Sequence, residues 1–289
     1  MPYDHRKLLA LPLALTACAA LAGCGGAAES ATQGPRTVDE KTTAQATAQA
    51  TGPASGAIPA GPGRKLPLAG RTIVIDPGHN PGNFRHTTEI NKKVNIGTNR
   101  KECDTTGTST NAGYTEAAFT LDVSHRLRDL LKAKGAKVVL VHDAERPYGP
   151  CIDERARIGN AAGADAVVSV HADGSAVGNR GFHVILPALV REGGADTTKI
   201  VGPSRALGEK LVTEFGRATG TRPANYIGSG TGLDVRKDLG GLNLSTVPKV
   251  FIECGNMRDP KDAALLTGAA WRQKAAQGIA DGIGAYLKG

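Results

Sequence analysis

Two of the seven histidines stand where an apolar run stops. His79 follows Thr72-Ile73-Val74-Ile75 and an Asp76-Pro77-Gly78 turn, and His171 follows Ala166 to Val170 and precedes Ala172-Asp173-Gly174. In both places a buried strand is expected to deliver an imidazole to a rim. Two carboxylates complete the set: Glu116 opens an amphipathic segment, and Glu253 follows Val250-Phe251-Ile252. Two imidazoles and one carboxylate are a ligand set of catalytic zinc (Zn2+), and a spare carboxylate can take the proton of water at the metal's open position. Taken singly, Glu116 equally suits a helix N-terminus, where the dipole favours negative charge. Glu253 is different, because an unpaired carboxylate in an apolar setting is expensive and desolvation raises its pKa toward the range useful for proton transfer. Asp173 either supports the site or makes the turn. The other five histidines (His5, His86, His125, His142, His183) read as surface or core residues, with His86 in a long loop that could touch substrate.

The elements that must position these residues alternate between strand and helix. After the Thr72 strand, Glu116 to Lys134 carries Phe119, Val123, Leu127, Leu130 and Leu131 at helical spacing, with Thr115 as N-cap and Gly135 as stop. Strand Val138 to Val141, helix Glu154 to Ala162, strand Ala166 to Val170 and strand Phe182 to Leu186 follow. Helix Ser204 to Arg217, strand Val250 to Ile252 and a last helix through Trp271 to Tyr286 complete the series. This order predicts an α/β fold: a single three-layer domain, residues 66–289, with a mostly parallel central sheet and helices on both faces. In such sheets ligands bind beyond the carboxyl ends of the strands, which gathers His79, His171 and Glu253 at one edge.

The first 65 residues have a different character. Arg6 and Lys7 precede an apolar run, Leu8 to Leu21, too short for a span of roughly 20 residues, so 1–24 reads as a signal peptide and the protein as exported. Its end, Leu21-Ala22-Gly23-Cys24, resembles a lipobox, in which Cys24 would be the lipidation site of a membrane-anchored lipoprotein; ordinary cleavage near the same small residues would instead leave the protein secreted. Residues 25–65 are rich in Ala, Thr, Gln, Gly and Pro and read as a flexible low-complexity linker. The net charge is +8, and loss of the signal leaves +7. Aromatics are only 4% and no basic run is interleaved with them, so no nucleic-acid partner is expected; an exported cationic protein meets anionic wall polymers or lipid headgroups. Of the five cysteines, Cys18 leaves with the signal, Cys24 belongs to the lipobox and Cys254 sits in an apolar stretch. Cys103 and Cys151 remain, and in an oxidising compartment they are expected to form a disulfide pinning the loop after His79.

Several ordered motifs now carry a resemblance: Ile75-Asp76-Pro77-Gly78-His79, Glu116 at a helix start, Glu154-Arg155-Ala156-Arg157-Ile158-Gly159-Asn160 followed by Ala164-Asp165, Ser169-Val170-His171-Ala172-Asp173, and Pro248-Lys249-Val250-Phe251-Ile252-Glu253-Cys254-Gly255-Asn256. Together they resemble the zinc-dependent N-acetylmuramoyl-L-alanine amidases of the amidase-3 family across about the whole domain, Arg71 to Lys288. The resemblance implies zinc held by His79, Glu116 and His171, with Glu253 as the catalytic carboxylate. It implies hydrolysis of the amide between N-acetylmuramic acid and the L-alanine of the stem peptide, with peptidoglycan or muropeptides as substrate. The chain departs from many relatives in Asn80-Pro81-Gly82-Asn83 after the first His and in Asp173, where relatives often have Asn. Pro187 to Lys199 is short and polar, unlike the long inhibitory segment of some relatives, so an enzyme active without an activator is expected, as a monomer. Two rivals remain open: a zinc peptidase acting within wall peptides, and a non-catalytic wall-binding protein.

Overall fold

The computed structural model describes residues 65–289. The expected signal segment with Cys24, and the linker up to residue 64, lie outside the described residues. The domain opens with β1 (Thr72–Pro77), followed by α1 (Thr87–Ile90) and a hairpin of β2 (Lys93–Asn95) and β3 (Arg100–Glu102). Next come α2 (Glu116–Ala133), β4 (Lys137–Leu140), α3 (Ile152–Ala161), β5 (Ala166–Asp173) and β6 (His183–Pro187). A small hairpin of β7 (Arg191–Glu192) and β8 (Ala195–Asp196) precedes α4 (Val201–Thr219), β9 (Leu233–Arg236) and α5 (Gly240–Asn243). The chain closes with β10 (Lys249–Asn256), α6 (Pro260–Leu266) and α7 (Ala269–Lys288). No helix among the described residues is long and apolar enough to cross a membrane.

Six strands form one sheet in the order β4-β1-β5-β10-β6-β9, parallel throughout except for the β10–β6 pair. One face is covered by α2, α4 and α7, which bury Phe119, Val123, Leu127, Leu211, Phe215 and Ile279 against Ile73, Ile75, Val168, Val170, Val250 and Ile252. Each such side chain contributes about 1.5–3 kcal/mol on burial, so this layer carries most of the fold's hydrophobic stabilisation. A smaller cluster of Val74, Val141, Ala164 and Val167, with Ile158 of α3, lies on the other face. The expected α/β architecture, with helices on both faces of a mostly parallel sheet, is thus present. The Thr115 hydroxyl accepts from Ala118 N at the head of α2, which fixes where that helix, and with it Glu116, begins.

Two strands run further than the apolar pattern predicts. β5 continues through His171 to Asp173, and β10 reaches from Lys249 to Asn256, so His171 and Glu253 lie inside strands rather than after them. The reason is the two-residue period of a strand. Val168, Val170, Val250 and Ile252 enter the large core, while Ser169, His171, Lys249, Phe251 and Glu253 alternate onto the opposite face, where polar side chains are accommodated. β9 carries little signal in the sequence because Leu-Asp-Val-Arg is only four residues long, half of them charged, at a sheet edge.

Candidate active site

β1 ends in a tight approach to its neighbour. Gly78 N donates to Val170 O at 2.9 Å, and a Cβ on Gly78 would lie 2.4 Å from His171 Cε1, so only glycine lets the His171 ring sit against this backbone. The next residue, His79, takes the left-handed conformation (φ 60), uncommon outside glycine, which ends the strand and turns the ring toward α2. His79 Nδ1 lies 3.1 Å from Thr105 O. In the tautomer that donates to this carbonyl, Nε2 keeps its lone pair, and Nε2 is 3.1 Å from Glu116 Oε2. Glu116 Oε1 is 2.9 Å from His171 Nδ1 and accepts from Ala172 N at 3.2 Å, while Oε2 accepts from Thr108 N at 2.9 Å.

The possible donor atoms of His79, Glu116 and His171 all fall within 4.8 Å of one another. A tetrahedral ion with bonds of about 2.0–2.1 Å spaces its ligand atoms about 3.3 Å apart, so the three residues fit a divalent cation with little rearrangement. Their charges point the same way. Burial alone would lower the His79 pKa, but the Glu116 and Asp104 carboxylates overcome it and push the imidazole up to about 10. Burial likewise opposes ionisation of Glu116, and the two histidines nevertheless hold it below the usual carboxylate range. The site therefore calls for positive charge at its centre.

Glu253 stands beside this cluster, paired in register with His171 on β5 and with His183 on β6. Its Oε2 is sealed from solvent and has no hydrogen-bond partner among the described residues. Burial, and then the Glu116 and Asp173 carboxylates, push its pKa well above the usual range. A half-buried carboxylate with a free oxygen next to three convergent metal donors is the arrangement of a hydrolytic metal site.

Residues 73–285 match the amidase-3 family, described as N-acetylmuramoyl-L-alanine amidase. The N-acetylmuramoyl-L-alanine amidase Rv3717 of Mycobacterium tuberculosis is 40% identical over 221 residues, covering 76% of this chain and 88% of its own. The chain belongs to the amidase-3 family. Among solved structures, the N-acetylmuramyl-L-alanine amidase Ami1 of Mycobacterium smegmatis superposes with a TM-score of 0.71 at 38% identity, covering 76% of this chain and 98% of Ami1. Ami1 of Mycobacterium abscessus, in its apo form, gives 0.69 at 40% identity, over 76% of this chain and 100% of the other. The chain is an N-acetylmuramoyl-L-alanine amidase by this membership, and the donor atoms of its His79–Glu116–His171 cluster converge closely enough to hold a metal ion.

Beneath the amidase's metal cluster lies a buried ionic network on the polar face of the sheet. Asp76 accepts from Arg155 Nη1 at 2.7 Å, Lys249 Nζ at 2.9 Å and Ser169 Oγ at 3.0 Å. Arg155 Nη2 reaches Asp104 Oδ2 at 2.9 Å, and Asp104 Oδ1 stands 3.6 Å from His79 Nδ1. Burial works against ionised Asp76, but Lys249 and Arg155 outweigh it and keep its pKa well below the usual range. Cys103 and Cys151 are joined by a disulfide between the Asp104–Thr105 segment and the start of α3, the helix that supplies Arg155. Two covalent and ionic ties therefore hold the backbone that contacts His79. Cys254 is free and buried.

Several residues near the amidase site had no signal in the sequence. His183, set aside as a core or surface histidine, is buried beside Glu253 with Nδ1 unpartnered among the described residues, and burial lowers its pKa. Only the antiparallel β10–β6 register brings it there. Tyr226, in a loop without a motif, donates its hydroxyl to Asp173 Oδ2 at 2.6 Å, so Asp173 is held within the site rather than serving the turn alone. Among the described residues the other histidines lie apart from the cluster: buried His142 donates from Nε2 to Pro77 O at 2.9 Å, His125 pairs with Asp143, and His86 packs on the Tyr148 ring at 5.1 Å.

Proposed function

We propose that residues 66–289 are a zinc-dependent catalytic domain that cleaves the amide between the lactyl group of N-acetylmuramic acid and the L-alanine of the stem peptide. His79 Nε2, Glu116 and His171 hold the ion. Bound there, zinc supplies a Lewis acid for the scissile carbonyl and acidifies water. Glu253 accepts the water proton on its unpartnered carboxylate oxygen and returns it to the leaving alanine nitrogen; its raised proton affinity suits both halves of that transfer. Thr105 O fixes the His79 tautomer, and Asp104 favours the same ring orientation. Tyr226 anchors Asp173, which keeps that second carboxylate from turning freely into the site.

The single observation carrying this reading is the free Glu253 carboxylate set in register with His171 of the metal cluster. A purely structural metal site would have no use for it. The domain's disulfide suits an oxidising compartment, and with segment 1–24 as signal, Cys24 as lipid attachment and 25–65 as a flexible linker we place the protein in the cell envelope, acting as a monomer on peptidoglycan or muropeptides and not on nucleic acid. The test is mass spectrometry of muropeptides incubated with the protein, with and without a zinc chelator. Free stem peptide beginning at L-alanine, formed only with zinc, is expected; cleavage inside the stem would transfer the function to a peptidase, and no cleavage by folded, zinc-loaded protein would refute catalysis.

A further inference from the structure

Beside the metal cleft runs a second groove of different chemistry. It has a cavity volume of ≈ 530 Å³, within the roughly 300–1,000 Å³ of ligand sites, and meets the metal cleft along a shared wall of Gly107 and Thr108. Asn80, Phe84, Thr106, Ser109 and Thr115 contribute to its lining, and no charged side chain does. Two guanidinium groups border it: Arg85, 4.9 Å from the Phe84 centroid, and Arg258, whose Nη1 donates to Ser109 O at 3.3 Å. The side-chain hydroxyls of Thr108 and Ser109 make no hydrogen bond among the described residues, so both are free to donate and accept.

Phe84 is 62% exposed even with Arg85 over its ring, and it is the one aromatic among the large apolar side chains left open in the described residues. Phe84 sits in a single 3-10 turn, Asn83–Arg85, at the edge of the groove, where its ring is open to a ligand. Nor is it loosely held. Its neighbour Asn83 is buried, donates from Nδ2 to Thr105 O at 2.7 Å and accepts from Gly149 N at 2.9 Å. The same Thr105 carbonyl faces His79, so the ring is mounted on the backbone that orients the metal cluster.

We propose that this groove binds the glycan side of the substrate, with the Phe84 ring against the apolar face of an N-acetylated sugar and the Thr108 and Ser109 hydroxyls on its polar edge. The proposal rests on the amidase reading and adds a direction to it. The scissile amide joins a neutral sugar chain to a peptide that bears carboxylates and amines. The other arm of the cleft carries Asp173, Arg236 and Glu253 and continues toward Lys101 and Asp238, a charged lining that suits the peptide. A groove whose lining has no charged side chain, with a largely exposed aromatic ring at its edge, suits the sugar. Only one orientation across the metal then satisfies both arms.

The test compares kcat/KM of the full chain on two substrates with the same stem peptide, one carrying only a lactoyl group and one carrying a N-acetylglucosamine–N-acetylmuramic acid tetrasaccharide. The preference for the sugar-bearing substrate is expected to shrink about tenfold in Phe84→Ala, chiefly through KM, and to return in Phe84→Trp, the loss being that of one aromatic contact. Calorimetric titration of the peptide-free tetrasaccharide into metal-free protein supplies a readout independent of turnover, with binding expected for the natural chain and lost in Phe84→Ala. An unchanged preference, or tetrasaccharide binding that ignores Phe84, would overturn the proposal while cleavage of the lactoyl peptide left the amidase reading standing. Failure of zinc-loaded protein to cut either substrate would sink both.

Discussion

Replacing Arg155 by methionine tests whether the ionic network under the metal site holds the domain together. Arg155 is buried, and its guanidinium serves four oxygens: Asp76 Oδ1 at 2.7 Å, Pro77 O at 2.6 Å, Pro150 O at 2.9 Å and Asp104 Oδ2 at 2.9 Å. Methionine fills much of the volume but leaves two buried carboxylates short of a cation. Breaking a buried pair from one side costs about 3–5 kcal/mol, a large share of the roughly 5–15 kcal/mol that keeps a domain folded. Asp76 retains Lys249 at 2.9 Å, which places the expected loss at the lower end, about 3 kcal/mol. For a domain of about 220 residues, with a shift of about 2–4 °C per kcal/mol, the melting temperature should fall by about 10 °C. The pH dependence has a definite sign. Asp76 has a folded pKa below its unfolded value, so its contribution is complete above the unfolded value of about 4 and is lost as pH falls through the folded one. The deficit of the variant should therefore be full at pH 7 and shrink below about pH 4, where the unpaired carboxylates can take up protons. Chemical denaturation of metal-free protein at several pH values measures this. A loss under about 1 kcal/mol, or one equally large in acid, would refute the assignment of the network as a structural tie.

Glu253→Gln should retain zinc, by elemental analysis, yet lose about 10²–10⁴ in kcat, whereas His79→Ala should lose the metal as well; a Gln variant with near-normal turnover would remove Glu253 from its role. Changing both Cys103 and Cys151 to serine opens a loop of 48 residues and should cost about 4 kcal/mol by chain entropy, read as a lower denaturation midpoint that reductant no longer shifts. Because the bridge adjoins Asp104 and Thr105, the same variant should bind zinc more weakly; unchanged affinity would show that Arg155 alone suffices to place the loop. Gly107→Ala should weaken zinc binding about 10–100-fold in a competition titration, since φ is +74 and the added Cβ would lie 2.7 Å from His79 Cδ2 and 2.8 Å from Glu116 Oε2. Normal affinity there would mean that the Thr105–Thr108 segment yields without disturbing the ligands.

The sequence by itself determined the layers, because burial writes a period into the chain: the three-to-four spacing from Phe119 to Leu131 and the apolar run from Ile73 to Ile75 reappear as the helix and strand they specify. It also marked His79 and Glu253 as candidates, since a histidine after an Asp-Pro-Gly turn and a glutamate in an apolar run are out of keeping with their surroundings, whereas Glu116 taken singly suits a helix N-terminus equally well. Tertiary structure decided which face each residue occupies and what stands next to it. His171 and Glu253 were expected at strand ends and lie within strands, because side-chain alternation hides a polar face behind an apolar average. The neighbours Asp76, Lys249, Arg155 and Asp104 come from four separate stretches, and no local pattern records a pairing whose energy exists only once all are buried together. His183 and Tyr226 are the same case: one antiparallel register and one loop bring them to the site, and both are set by long-range packing rather than by the residues beside them in the chain.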